Sequence, residues 1–223
     1  MDEVKFFFFG DSICFGQLIN PNQIWINAFA GSLARLSGNN NKYLVQNAAV
    51  NGNTTRLALE RLSYDITSHS PKYVYVQFGM NDCNYWDTDN GNARVSECAF
   101  SANLIEIVQK CLSAGTAHCF VANNHPSLKN IECSNRIRSY DENNAYYSAL
   151  VKETAQKMID EGLPISFIDV RNLWEQFLTN NAHVHLSDLL LSDGIHLSSQ
   201  GHGVYMEYVG DQLLQVIRKL EES

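Results

Sequence analysis

The chain has 223 residues, 45% of them hydrophobic and 18% charged, a composition that suits one soluble globular domain spanning residues 1–223 with a sizeable core. Its formal net charge of -8 works against non-specific binding to nucleic acid or to an anionic membrane, since both are polyanions. No run approaches the ~20 apolar residues of a membrane helix, and Met1-Asp2-Glu3-Val4-Lys5 lacks the basic start of an export signal, so a cytoplasmic location is expected.

The first predicted element is a buried strand over Lys5–Phe9, which ends in Gly10-Asp11-Ser12. That ending delivers a serine hydroxyl to the carboxyl end of a strand, the edge where open α/β sheets carry their chemistry. Serine is also a common turn and helix-cap residue, so Ser12 is a candidate nucleophile beside a candidate cap. A second strand over Tyr43–Gln46 leads into Asn47–Thr55, where Gly52 allows close backbone approach and Thr54 or Thr55 can cap the helix that follows. The third strand, Tyr73–Gln77, opens the segment Gln77–Asp82, in which Gly79 permits a turn and Asn81 offers an amide donor. Strands over His118–Ala122 and Ile165–Ile168 complete the set, each short and apolar on both faces like a parallel strand covered from either side.

Between the strands lie helical stripes. Leu104, Ile107, Val108 and Leu112 share one face, as do Tyr147, Leu150, Val151, Thr154 and Met158, and near the C-terminus Val209, Leu213, Val216, Ile217 and Leu220. Strand-then-helix repetition predicts a three-layer α/β/α sandwich around a mostly parallel five-stranded sheet. Three long irregular stretches, Asp82–Arg94, Asn123–Arg138 and Asn180–Leu191, follow or approach strand ends and can wall one site. The first carries Tyr85, Trp86, Asp87, Asp89 and Asn90, a polar-aromatic mixture that suits a sugar; the alternative is a solvated loop with Trp86 tucked against the core. His125, before Pro126, lines the substrate pocket or holds a structural turn.

The last segment, Ser192–His202, contains Asp193-Gly194-Ile195-His196. A serine hydroxyl is a poor nucleophile until an imidazole takes its proton, and the imidazole needs a carboxylate to fix its tautomer. Ser12, His196 and Asp193 can fill those roles, with the last two close enough for one turn to present them to each other. The oxyanion needs pre-aimed donors, which the N–H groups of Ser12 and Gly52 and the Asn81 amide can supply from three successive strand ends.

The four segments around Ser12, Gly52, Asn81 and His196 resemble blocks I, II, III and V of the SGNH (GDSL-type) hydrolase superfamily, whose hallmark residues fall on those positions in family order. The resemblance implies a flavodoxin-like sandwich and cofactor-free ester or thioester hydrolysis, with Asp193 and His196 completing the triad. Ile13 replaces the usual Leu and Asn51-Gly52-Asn53 varies a block often written with Ser and Asp, but no catalytic group is lost. The expected activity is a serine esterase acting on a short acyl group, acetyl on a carbohydrate foremost; a thioesterase or lysophospholipase of the same fold is the alternative, and a binding module without turnover the third. The expected partner is a small acyl ester.

Competing residues are weaker. His202 follows a cap-like Ser198-Ser199-Gln200-Gly201 and is expected to pack locally, while Asp188 lacks a His three residues on. Cys14 lies on the turn after Ser12 with no partner in its motif. His183 and His185 have metal-binding spacing without companions, and Asp87–Gly91 fits a calcium loop poorly, so no metal is expected. The six cysteines, Cys14, Cys83, Cys98, Cys111, Cys119 and Cys133, form no CxxC pair and read as reduced thiols. No phosphate-cradling glycine motif points to a nucleotide.

Overall fold

A computed structural model describes residues 2–36, 41–129 and 138–222; Cys133 and most of the second half of the 123–138 stretch lie outside them. Five strands, β1 (Asp2–Gly10), β2 (Asn41–Asn47), β3 (Tyr73–Gln77), β4 (His118–Ala122) and β5 (Ile165–Ile168), form one parallel sheet in the order β2-β1-β3-β4-β5. This is the flavodoxin-like order, whose direction reverses between β1 and β3, the switch point at whose carboxyl edge open α/β sheets carry their sites.

The four consecutive phenylalanines of β1 explain why that strand is central. Phe6 and Phe8 meet Phe29 on α2 (Trp25–Leu36) at a tilt and edge to face, with ring centroids 5.2 and 5.4 Å away, while Phe9 on the opposite face meets Phe78 at 5.2 Å. All four are nearly solvent-free, and truncating such a ring costs about 3–5 kcal/mol. The helices α3 (Thr55–Asp65), α4 (Glu97–Ser113) and α5 (Tyr140–Asp160) cover one face in succession. On the other, α2 and α6 (Val170–Asn180) pack on a π-helical segment, Tyr205–Gly210, that runs into the C-terminal helix Asp211–Glu222. The stripes anticipated on α4, on α5 and at the C-terminus all face inward.

Two strands depart from the expectation. β1 begins at Asp2 because its ladder with β2 continues past the apolar run, pairing Asp2 with Asn41 and Glu3 with Lys42. β2 is an edge strand, so it is not buried on both faces, and Leu44 is 37% exposed. Among the described residues no helix is long and apolar enough to cross a membrane.

Candidate active site

Ser12 opens α1 (Ser12–Phe15), a single turn immediately after β1. The cap of that turn is Asp11, whose carboxylate accepts from the Ile13 N–H at 3.0 Å, which leaves the Ser12 hydroxyl free of capping duty. The hydroxyl instead lies 2.8 Å from His196 Nε2, bridging 184 positions of sequence. His196 Nδ1 lies 2.6 Å from Asp193 Oδ2. Partial burial pushes the Asp193 carboxyl up, but hydrogen bonds from the His196 ring and from the Ile195 and His196 N–H groups outweigh it and hold the group below the ordinary carboxylate value. An ionised Asp193 can only accept, so Nδ1 carries the ring proton and Nε2 presents its lone pair to the Ser12 hydroxyl.

The loop that carries this pair is tied down from several directions. Leu191 N–H donates to His196 O at 2.7 Å, Leu128 N–H to Gly194 O at 2.8 Å, and Gly194 adopts φ 70 where a Cβ would meet the Leu128 backbone at 3.0 Å. His125 supplies a further anchor. It is fully buried, its Nε2 donating to Ile195 O at 2.9 Å and its Nδ1 accepting from Tyr205 Oη at 2.9 Å, so it does not line a substrate pocket and holds the loop from beneath. Burial lowers its pKa from an ordinary 6.5 to about 4, so between those values the unfolded chain takes up a proton that the folded one refuses. The stability His125 contributes is therefore full above pH ~6.5 and lost as pH falls toward 4. His125→Gln, which lacks this titration, is expected to be about 1–3 kcal/mol less stable than the parent at pH 7.5 in denaturant unfolding. The gap should narrow at pH 5; a constant or widening gap contradicts a neutral buried imidazole.

The three expected oxyanion donors sit at the ends of β1, β2 and β3, which are neighbours in the sheet. Ser12 N–H belongs to the first turn of α1. Gly52 lies in the turn after β2 with φ 74, and a Cβ there would meet nothing within 4 Å, so its conformation and not close approach demands glycine. The turn is drawn to β1 by the Ala48 N–H to Phe8 O bond of 2.9 Å and the Val50 N–H to Gly10 O bond of 3.1 Å. Asn81 Nδ2 donates to Asp11 Oδ2 at 3.3 Å, which turns the amide N–H₂ toward the end of β1.

The GDSL-like lipase/acylhydrolase family model matches residues 8–204. The chain belongs to this family, a family of carboxylic ester hydrolases. The fold resembles Axe2, an acetylxylan esterase from Geobacillus stearothermophilus, at TM-score 0.71 and 19% identity with 92% of each chain covered. It resembles AlAXEase, an acetyl xylan esterase, at TM-score 0.73 and 20% identity over 96% of this chain and 100% of that one. An uncharacterized lipoprotein of Bacillus subtilis, YqeF, is 32% identical over 71 residues, a match spanning 32% of this chain and 28% of that protein.

Several residues of this GDSL-like chain owe their importance to the fold and carry no local sequence signal. Arg61 of α3 joins the first two blocks: Nη1 reaches Ala48 O at 2.6 Å, Nε reaches Asn53 Oδ1 at 2.6 Å and Nη2 reaches Gly10 O at 3.2 Å, with the guanidinium over the Phe9 ring. Tyr140 Oη and Asn143 Nδ2 of α5 donate to Met80 O at 2.8 Å and Cys83 O at 2.6 Å, fixing the loop that bears Asn81. Beneath it lie two buried carboxyls. Burial, with the neighbouring Asp82 charge, raises Asp11 to about 7, and burial raises Asp82 to about 6 despite bonds from the Thr55 N–H and hydroxyl. Their hydrogen bonds give both a part in the local architecture, Asp11 as the cap of α1 and Asp82 as the anchor of α3.

Other sequence candidates fall outside the chain of contacts. Cys14 is buried and donates to Gln77 Oε1 at 3.3 Å, and burial pushes its thiol pKa up, away from thiolate chemistry. His202 is buried and accepts from the distant Trp25 N–H at 3.4 Å, so its packing is not local as anticipated. Thr54, as expected, caps α3 by accepting from Leu57 N–H at 3.4 Å. Tyr85 is placed with Ser96, Arg138 and Tyr147 around a separate cavity of about 260 Å³ that does not include Ser12. Trp86 is 54% exposed with the Arg94 guanidinium 4.6 Å from its ring centre, so it is not tucked into the core.

Proposed function

We propose that the protein hydrolyses short-chain acyl esters, with acetyl groups on carbohydrate as the substrate class, through Ser12, His196 and Asp193. The carrying observation is the unbroken chain of hydrogen bonds from the Ser12 hydroxyl to His196 at 2.8 Å and from His196 to Asp193 at 2.6 Å. Ser12 Oγ bonds to the ester carbonyl carbon as its proton passes to His196 Nε2, and the imidazolium is stabilised by Asp193. The negative oxygen of the tetrahedral intermediate faces the N–H groups of Ser12 and Gly52 and the Asn81 amide. Collapse breaks the bond to the alcohol, which leaves with the proton from His196. Water then attacks the acyl-enzyme by the same exchange, releasing the acid and restoring Ser12.

The acetyl and carbohydrate parts rest on separate supports. Two structural neighbours are described as acetylxylan esterases. The half-exposed Trp86, carried on a loop with Asp87, Asp89 and Asn90, offers the apolar face and polar rim on which a sugar ring packs. Hydrolysis of p-nitrophenyl acetate, octanoate and palmitate tests the acyl part, with acetate expected to give at least about a 10-fold higher kcat/KM than octanoate. Faster turnover of the longer chains would move the reading to a lysophospholipase or acyl thioesterase.

A further inference from the structure

Arg94 lies at the far end of the Asp82–Arg94 stretch, thirteen positions past its neighbour in space, Asn81. The stretch folds back through a bridge between Tyr85 and Ala93, and the Arg94 N–H donates to Asn84 O at 3.0 Å. This return brings Arg94 Nη1 to 3.4 Å from Asn81 Oδ1 and 3.5 Å from Gly52 O, and sets the guanidinium over the Trp86 ring. One cation thus touches the residues that bear two of the three oxyanion donors. From this geometry we infer that Arg94 is a positioning residue, which locks the Asn81 carboxamide and the Gly52 turn in the orientation that aims their N–H groups at the oxyanion.

The chemistry of the partners makes the orientation one-way. Arginine has five N–H donors and no acceptor, so it donates to the carboxamide oxygen and repels the N–H₂ group. Asp11 Oδ2, on the other side of Asn81 at 3.3 Å, takes an N–H. A flipped Asn81 would set its N–H₂ against the guanidinium and lose that contact, so the Arg94 side decides the orientation. The Trp86 face covers the guanidinium and limits where it can go.

This inference rests on the reading of Asn81 and Gly52 as oxyanion donors, so the test measures both. With p-nitrophenyl acetate, Arg94→Ala is expected to lower kcat about 10–100-fold with KM changed less than about 3-fold, as for loss of a group that supports a reacting residue. Arg94→Lys, whose single ammonium cannot reproduce the planar fork, is expected to fall between the parent and Arg94→Ala. Added guanidinium ion at millimolar concentration should restore part of the kcat of Arg94→Ala, a recovery that a merely misfolded variant does not show. Asn81→Ala is expected to lose about 100-fold or more in kcat, and adding Arg94→Ala to it should cost only a few-fold further. A raised KM with kcat intact would overturn the inference by making Arg94 a substrate contact. The same loss from Arg94→Ala with and without Asn81 would overturn it too. Full activity in Asn81→Ala would instead remove the underlying reading, and the inference with it.

Discussion

Replacing Ser12 with alanine is expected to lower kcat/KM for p-nitrophenyl acetate by about 10⁵–10⁶-fold, as removal of a nucleophile that acts as one unit with its base does. The residue left behind cannot form the acyl bond, so only the donors and the binding site remain to assist direct attack by water. The stability cost is expected to be small. Asp11 holds the cap of the first turn, so the alanine loses only the 2.8 Å contact with His196. A single such bond contributes about 0.5–1.5 kcal/mol, which in a chain of this size shifts Tm by a few degrees at most, at roughly 2–4 °C per kcal/mol. Activity and Tm measured on the same preparation separate the two roles of a serine at this position. Lost stability with retained activity would make Ser12 structural.

Asp193→Asn is expected to lower kcat by about 10⁴-fold while leaving KM and Tm near the parent values. The substitution keeps the size of the side chain, and its oxygen can still accept from the Ile195 and His196 N–H groups that shape the loop at 2.9 and 3.0 Å. What changes is the group that faces His196 Nδ1. An amide N–H₂ there donates, which makes Nδ1 the acceptor and moves the ring proton to Nε2. The imidazole then meets the Ser12 hydroxyl with an N–H in place of a lone pair and cannot take its proton. Near-parent kcat in Asp193→Asn would show that His196 needs no carboxylate to set its tautomer.

The placement of the candidate site groups was legible because each sits in a short contiguous segment, most of them at a strand end. Ser12 after β1, Gly52 after β2 and Asn81 after β3 are placed by the alternation of strands and helices, and the parallel sheet brings them to one edge. Asp193 and His196 are three residues apart, so their mutual contact needs only a tight turn. The supporting residues were not legible, because their partners are distant in sequence. His125 and Ile195 are 70 positions apart, and nothing near His125 marks it as buried beneath the loop. Arg61 looks like a charge on a helix until the strand order puts Gly10 and Ala48 beside it. The exposure of β2 likewise follows from its edge position, which periodicity alone does not give. Arg94 is the sharpest case, since a loop must double back before it meets Asn81.

A shared logic links the supporting groups. The proposed donors and nucleophile stand on turns at the carboxyl edge of the sheet, past the end of the strand ladder. Arg61, Tyr140, Asn143 and His125 add side-chain bonds to backbone carbonyls there, Arg61 for the first two blocks, Tyr140 and Asn143 for the third and His125 for the last. Such buried bonds fix geometry to within the few tenths of an ångström that proton transfer needs.

The most direct measurement is intact-mass and peptide-mapping spectrometry of the protein after brief reaction with a fluorophosphonate, which reacts fastest with a serine whose proton is being drawn off. One adduct on Ser12, lost in His196→Gln, is the expected result. Labelling at another residue, or none under conditions where the esterase is active, would contradict the account.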